Sequence, residues 1–209
     1  MTFNFAQSRN LVGSHVTTTI ERLQRSLLEG HSSTSRAHLA RMRRGTSSQT
    51  FDPTVTAVAF TDLPAELVGR SDDLSYAERS ILSALSLYSV HQQSQSTAMH
   101  RRGRGFGQAI RDLIRLSPAE DYESSPVIRR YNALITSDSP DELLWHMRGL
   151  VNQLRAAGIS LDYGQLAEDL FSYHFDQPRR GVRLAWSRDL YAQNPSSETP
   201  TEDTSEHTA

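Results

Sequence analysis

The chain has no cysteine among its 209 residues. That excludes disulfides, thiolate metal sites and cysteine nucleophiles, and it fits a reducing compartment. Lysine is absent too: all 22 Lys and Arg positions are arginine. Codon bias accounts for the choice of arginine but not for where the arginines cluster. The planar guanidinium suits bidentate contact with phosphate. No apolar run approaches the ~18 residues that a membrane span needs, and the opening "MTFNFAQSRN" lacks the apolar core of a secretory signal. These absences lead us to expect a soluble, cytoplasmic protein.

Signs of catalysis are missing as well. No Gly-x-Ser-x-Gly elbow occurs. Of the eight histidines, His31 and His38 are seven apart, and His91 and His100 flank "QQSQSTAM". Neither pair has the short spacing of a helical metal motif. The acids of "SDD" (71–73) and "AED" (167–169) suit caps and solvated faces, although close acids also hold Mg²⁺ in nucleases. We expect no enzyme, no metal and no cofactor.

What is present is helical periodicity. Val12, Val16, Ile20, Leu23, Leu27 and Leu28 recur at three- and four-residue spacing and stop at Gly30. A more basic helix is expected from Ser33 to Arg44, stopped by Gly45. The stretch 46–74 is ambiguous: "FDPTVTAVAF" has strand-like β-branched residues but no partner strand, so a long connection holding a short helix is expected. Ser75 with Glu78 forms a capping box before Ile81, Leu82, Leu85 and Tyr88. Phe106, Ile110, Leu113 and Ile114 mark a short helix. "SPAE" (117–120) is another start signal, ahead of a face made by Val127, Tyr131, Leu134 and Ile135. Ser139, Pro140 and Glu142 open a helix that ends at Gly158, Asp162 caps the next, and Val182, Leu184, Trp186, Leu190 and Tyr191 stripe the last.

The expected fold is therefore all-α, with about eight helices in two small bundles, residues 1–117 and 118–193. Residues 194–209 carry Glu198, Glu202, Asp203 and Glu206 and no base, amid Ser, Thr and Pro. Such a segment cannot bury enough surface to fold, and a disordered acidic tail is expected. Residues 1–115 hold 14 arginines and 9 acids, whereas 116–193 hold 8 and 11. The first bundle is the more basic one.

The arginines fall in groups. "MHRRGRGFGQAIR" carries Arg101, Arg102, Arg104 and Arg111 around three glycines. A dinucleotide or P-loop reading needs a strand before the glycines, and the preceding segment is helical. Two readings stay open: a mobile basic arm that contacts nucleic acid, and a solvated loop with no ligand. Arg41, Arg43 and Arg44 end the second helix, where they also offset its dipole. Arg129 and Arg130 lie on the polar side of "VIRRYNALI", and Arg148 interrupts an apolar stripe. These ten are the candidate nucleic-acid contacts.

Five ordered stretches carry a family likeness: "HLARMRRG", "ERSILSALSLYSVHQQSQSTAMH", "GFGQAIRDL", "VIRRYNALITSDSPDELLWHMRGLVNQLRAAGISLDYGQLAEDL" and "VRLAWSRDLY". Together they resemble the CasB family, the small subunit of the type I-E CRISPR surveillance complex Cascade, over most of residues 12–192. The resemblance implies a non-catalytic, two-bundle helical subunit of a ribonucleoprotein complex in antiviral defence. It implies that two copies sit head to tail beside other Cascade subunits, CRISPR RNA and target DNA, and help to hold the opened target (the R-loop). Base pairing then supplies sequence specificity while protein grips backbone. By position, Arg43 and Arg44, Arg129 and Arg130, and Arg148 match the family's bases. Gly149 and Thr136 stand where many or some members have a further base. The 101–104 loop is expected to compensate. The competing reading is a free-standing DNA-binding regulator, with "QAIRDLIRL" as the one candidate recognition helix.

Overall fold

The computed structural model describes residues 4–44, 52–116 and 125–192. Nine helices occupy them: α1 Phe5–Leu28, α2 Ser33–Arg44, α3 Pro53–Phe60, α4 Tyr76–His91, α5 Phe106–Leu116, α6 Pro126–Ile135, α7 Pro140–Ala156, α8 Tyr163–Tyr173 and α9 Asp176–Tyr191. The all-α expectation holds, and α3 is the short helix expected between 46 and 74. Gly45, the "SPAE" start signal and the acidic tail lie outside the described residues. No described helix is long and apolar enough to cross a membrane.

Local chemistry explains most boundaries. The Asn4 carboxamide accepts from the Gln7 amide at 3.1 Å, which starts α1 earlier than its apolar stripe suggested. Ser75 and Glu78 form the capping box of α4, with the Ser75 amide donating to Glu78 at 2.7 Å. Asp162 accepts from the amides of Gly164 and Gln165 and starts α8. Gly158 takes a positive φ of 65° just past α7.

One apolar cluster runs through all nine helices and crosses the boundary expected at 117/118. The first half contributes α1 and α4, and α8 from the second half packs against both. Val12, Val16 and Ile20 of α1 and Leu166, Ala167 and Leu170 of α8 are buried here. The α4 helix is buried along nearly its whole length. Its buried serines are satisfied by nearby carbonyls: Ser80 donates to that of Tyr76 at 2.7 Å, and Ser86 donates to that of Met42 on α2 at 3.0 Å. In α9 the expected stripe is only partly a core face. Val182, Trp186 and Leu190 are buried, whereas Leu184 and Tyr191 are about half exposed.

Candidate nucleic-acid interface

The glycine-rich arginine segment is a clamped connection in the structure. The Gln92 side chain organises its approach, donating to the Gln95 and Thr97 carbonyls and accepting from the Met99 amide at 3.0 Å. The chain then lies alongside the start of α8. Leu161 donates to the Met99 carbonyl, Arg101 donates back to Leu161, and Asp162 donates to the Arg104 carbonyl at 2.8 Å. The Gly103 amide donates to the Asp162 carboxylate at 2.7 Å. At Gly107, a Cβ would come within 2.3 Å of the Trp186 carbonyl oxygen, so the glycine is what lets α5 settle on α9. These glycines serve turn and packing, which answers the nucleotide-loop question in structural terms.

Three guanidiniums of this segment are engaged internally. Arg102 grips Glu21 with two hydrogen bonds of 2.7 and 3.0 Å. That contact holds the Glu21 carboxyl below its usual range. Arg104 pairs with Asp112. Arg111 donates to the Asp189 carbonyl at 2.9 Å and to the Ala192 carbonyl. Arg101 is exposed and makes no side-chain bond among the described residues.

The histidines flanking "QQSQSTAM" meet across Tyr163. The His91 Nδ1 lies 2.9 Å from the Tyr163 hydroxyl, and the His100 Nδ1 accepts from the Tyr163 amide. Burial pushes His91 down to about 4, and Arg155 beside it adds to the shift. Both rings pack the interior. Among the described residues no group of three or more His, Cys, Asp or Glu could hold a metal ion.

The second arginine group is organised differently. Arg43 of α2 donates to the Ser89 carbonyl near the end of α4 at 3.3 Å. Arg155 of α7 donates to the Val90 carbonyl and, at 3.0 Å, to the Gln93 side-chain oxygen. Arg148 of α7 donates to the Arg43 carbonyl at 3.2 Å. The acceptors in these bonds are neutral oxygens at or near helix C-termini, so the bonds fix the side chains without cancelling their charge. Burial lowers the Arg43 pKa, and the neighbouring charges of Arg155 and Arg44 push it further down.

The end of α2 and one further helix, α6, adjoin this group. Arg44 is exposed at the end of α2, and Arg129 and Arg130 are exposed on α6. None of these three makes a hydrogen bond or ion pair among the described residues. A Cβ on Gly149 would fall 2.2 Å from the Arg130 Nη1 and 3.0 Å from its Cδ and Cζ. Arg130 therefore lies across Gly149, so a base from α6 reaches over α7 at a position where α7 itself has none. The ridge runs from α6 across α7 to the end of α2. Arg41, the remaining candidate, faces Asp52 at 3.7 Å and donates to Thr54. Sequence reading missed Arg155, whose partners lie more than sixty residues away in the chain.

Comparison with known proteins first defines a class: an all-helical, CRISPR-associated protein. A crystal structure of CasB from Thermobifida fusca superposes with a TM-score of 0.69 at 31% identity, covering 87% of this chain and 98% of that one. A CRISPR-associated protein of the Cse2 family from Thermus thermophilus shares the fold, with a TM-score of 0.60 at 18% identity over 84% of this chain and 97% of that one. Residues 38–191 match the family described as CRISPR-associated protein Cse2. The chain belongs to the Cse2 family, to which the name CasB also applies, as the ordered sequence motifs implied. Among curated protein sequences, none matches.

Proposed function

We propose that the chain is the non-catalytic small subunit of a type I-E Cascade complex and holds nucleic-acid backbone along the ridge of Arg43, Arg44, Arg129, Arg130, Arg148 and Arg155. The observation that carries this reading is the convergence of guanidiniums from three helices, two of them held by neutral carbonyls at the ends of α2 and α4. Like charges gathered on one surface repel one another, and a polyanion relieves that repulsion. Phosphates are the natural occupant, because arginine forks match them and release of counterions favours the contact. Within the complex, base pairing by the CRISPR RNA selects the target, and this subunit steadies the opened strands with little sequence preference. A second copy and the other Cascade subunits are its protein partners.

The test is fluorescence anisotropy with labelled single-stranded and duplex DNA of unrelated sequences across a salt series. The variant combines Arg44→Ala, Arg129→Ala and Arg130→Ala, since these exposed side chains make no hydrogen bond or ion pair among the described residues. Wild-type binding should fall steeply with salt and ignore sequence. The variant should bind about tenfold or more weakly, with a salt slope shallower by about one unit for each phosphate no longer neutralised. Unchanged affinity and slope would refute the ridge. Preference for one sequence would favour the free-standing regulator.

A further inference from the structure

Trp145 on α7 is 71% exposed, the most open of the large apolar side chains among the described residues. A tryptophan so placed forgoes most of the burial that usually stabilises it. Its setting is also unlike that of the other exposed apolar residues. Val68 and Tyr76 flank an apolar groove that also includes Phe171 and Phe175. Trp145 instead shares its helix face with Asp141, Arg148, Gly149 and Asn152, at three-, four- and seven-residue spacings. Those neighbours are polar or bare.

Two arginines stand on the ridge side of the residue along its helix face. Arg148 is three positions on, and Gly149, four positions on, carries the side chain of Arg130 across it. The backbone of Trp145 therefore lies four residues, ~6 Å along the axis, before the glycine crossed by a guanidinium with no described partner. On the other side, the first turn of α7 is acidic, with Asp141 and Glu142. Trp145 stands where the positive ridge begins. The His146 ring packs edge-to-face against it, with centroids 4.7 Å apart at 77°.

We infer that Trp145 is a stacking platform for an unpaired nucleobase, beside arginines that hold the flanking phosphates. The inference rests on the ridge binding nucleic acid. An aromatic plate next to a cationic track is how single strands are held without reading their sequence, because every base has a π-face. A duplex keeps its base faces inside the stack and cannot offer one. Trp145 would therefore make the ridge prefer opened over closed DNA, a preference that arginine alone does not supply.

The chain carries its own reporter. It has two tryptophans. Trp186 is 2% exposed and donates to Asp169 at 2.7 Å, so Trp145 supplies the solvent-exposed emission. The experiment titrates full-length protein with a mixed-sequence single strand and with the matching duplex at low salt. It follows tryptophan emission and, with labelled DNA, anisotropy, for wild type, Trp145→Ala, Trp145→Phe and the triple arginine variant. Single strand should quench the long-wavelength emission and duplex should leave it nearly unchanged. Trp145→Ala should weaken single-strand binding about fivefold or more and spare duplex binding, with Trp145→Phe in between. Binding seen by anisotropy without quenching would overturn the inference and leave the ridge intact, as would equal losses for both DNAs or self-association that Trp145→Ala abolishes. Failure of wild type to bind any DNA would overturn the ridge and this inference together.

Discussion

Two parts of the molecule gather arginines and differ in what the guanidiniums meet. In the 101–111 segment, Arg102 and Arg104 face carboxylates, Glu21 and Asp112, which cancel their charge in place. On the ridge, Arg43, Arg148 and Arg155 bond carbonyl or amide oxygens, and Arg44 and Arg130 make no ion pair among the described residues. Density of arginine is thus a poor measure of an anion-binding surface; the formal charge of the bonding partners is a better one. The segment that looks most basic in the sequence is a structural clamp. In the more dispersed set, the described bonds of Arg43, Arg148 and Arg155 go to neutral oxygens.

The comparison can be broken first at the clamp. Gly107→Ala drives a methyl into the Trp186 carbonyl, backbone that cannot swing aside. It should destabilise the fold by about 1–3 kcal/mol, seen as a lower urea midpoint, with DNA affinity under native conditions little changed. It can be sharpened next by exchanging triple variants. Alanine at Arg44, Arg129 and Arg130 should cost about tenfold or more in DNA affinity, and alanine at Arg101, Arg102 and Arg104 less than about threefold, since Arg102 and Arg104 are already paired with carboxylates there. Equal losses in parallel anisotropy titrations would erase the distinction between the two regions.

Protonation probes the clamp in another way. The folded state keeps His91 neutral down to about 4, whereas the unfolded chain takes up a proton near its ordinary value of 6.5. Acidification through that window therefore favours unfolding, and His174, also held down to about 4 by burial, adds to the trend. Asp169, pushed up to about 7 by burial, works in the opposite sense, because the folded state keeps its proton over a range where the unfolded chain has lost it. Urea midpoints near pH 7 and near pH 5 should show a smaller acid-side loss for His91→Gln than for wild type. The smallest effect is the most specific. Gly149→Ala should raise helix stability by up to about 1 kcal/mol while displacing Arg130. Stability, followed by thermal unfolding, would rise as DNA affinity, followed by anisotropy, drops about two- to threefold.

Much of the fold was legible because helix signals are local. Stripes such as Val12, Val16, Ile20 and caps such as Ser75, Ser139 and Asp162 need only neighbouring residues to act. The start of α1 was missed because its first turns are capped by Asn4 without a matching apolar stripe. Order in the 99–104 segment was missed because its partners, Glu21, Gln24, Gln92, Leu161 and Asp162, are mostly remote in the chain. Arg155 looked like an ordinary base in the last turn of a helix, and only tertiary packing sets it beside Arg43.

The packing of α1 on α8 has a consequence for biosynthesis. The apolar stripe of α1 leaves the ribosome long before α8, which packs against it and begins at Tyr163. At ordinary elongation rates the nascent chain carries Val12, Val16 and Ile20 without their α8 partner for on the order of ten seconds. The same long-range closure slows the last step of folding, because distant segments must find each other before the contact stabilises either. Expression of the protein should therefore depend on chaperones that shelter α1 during translation.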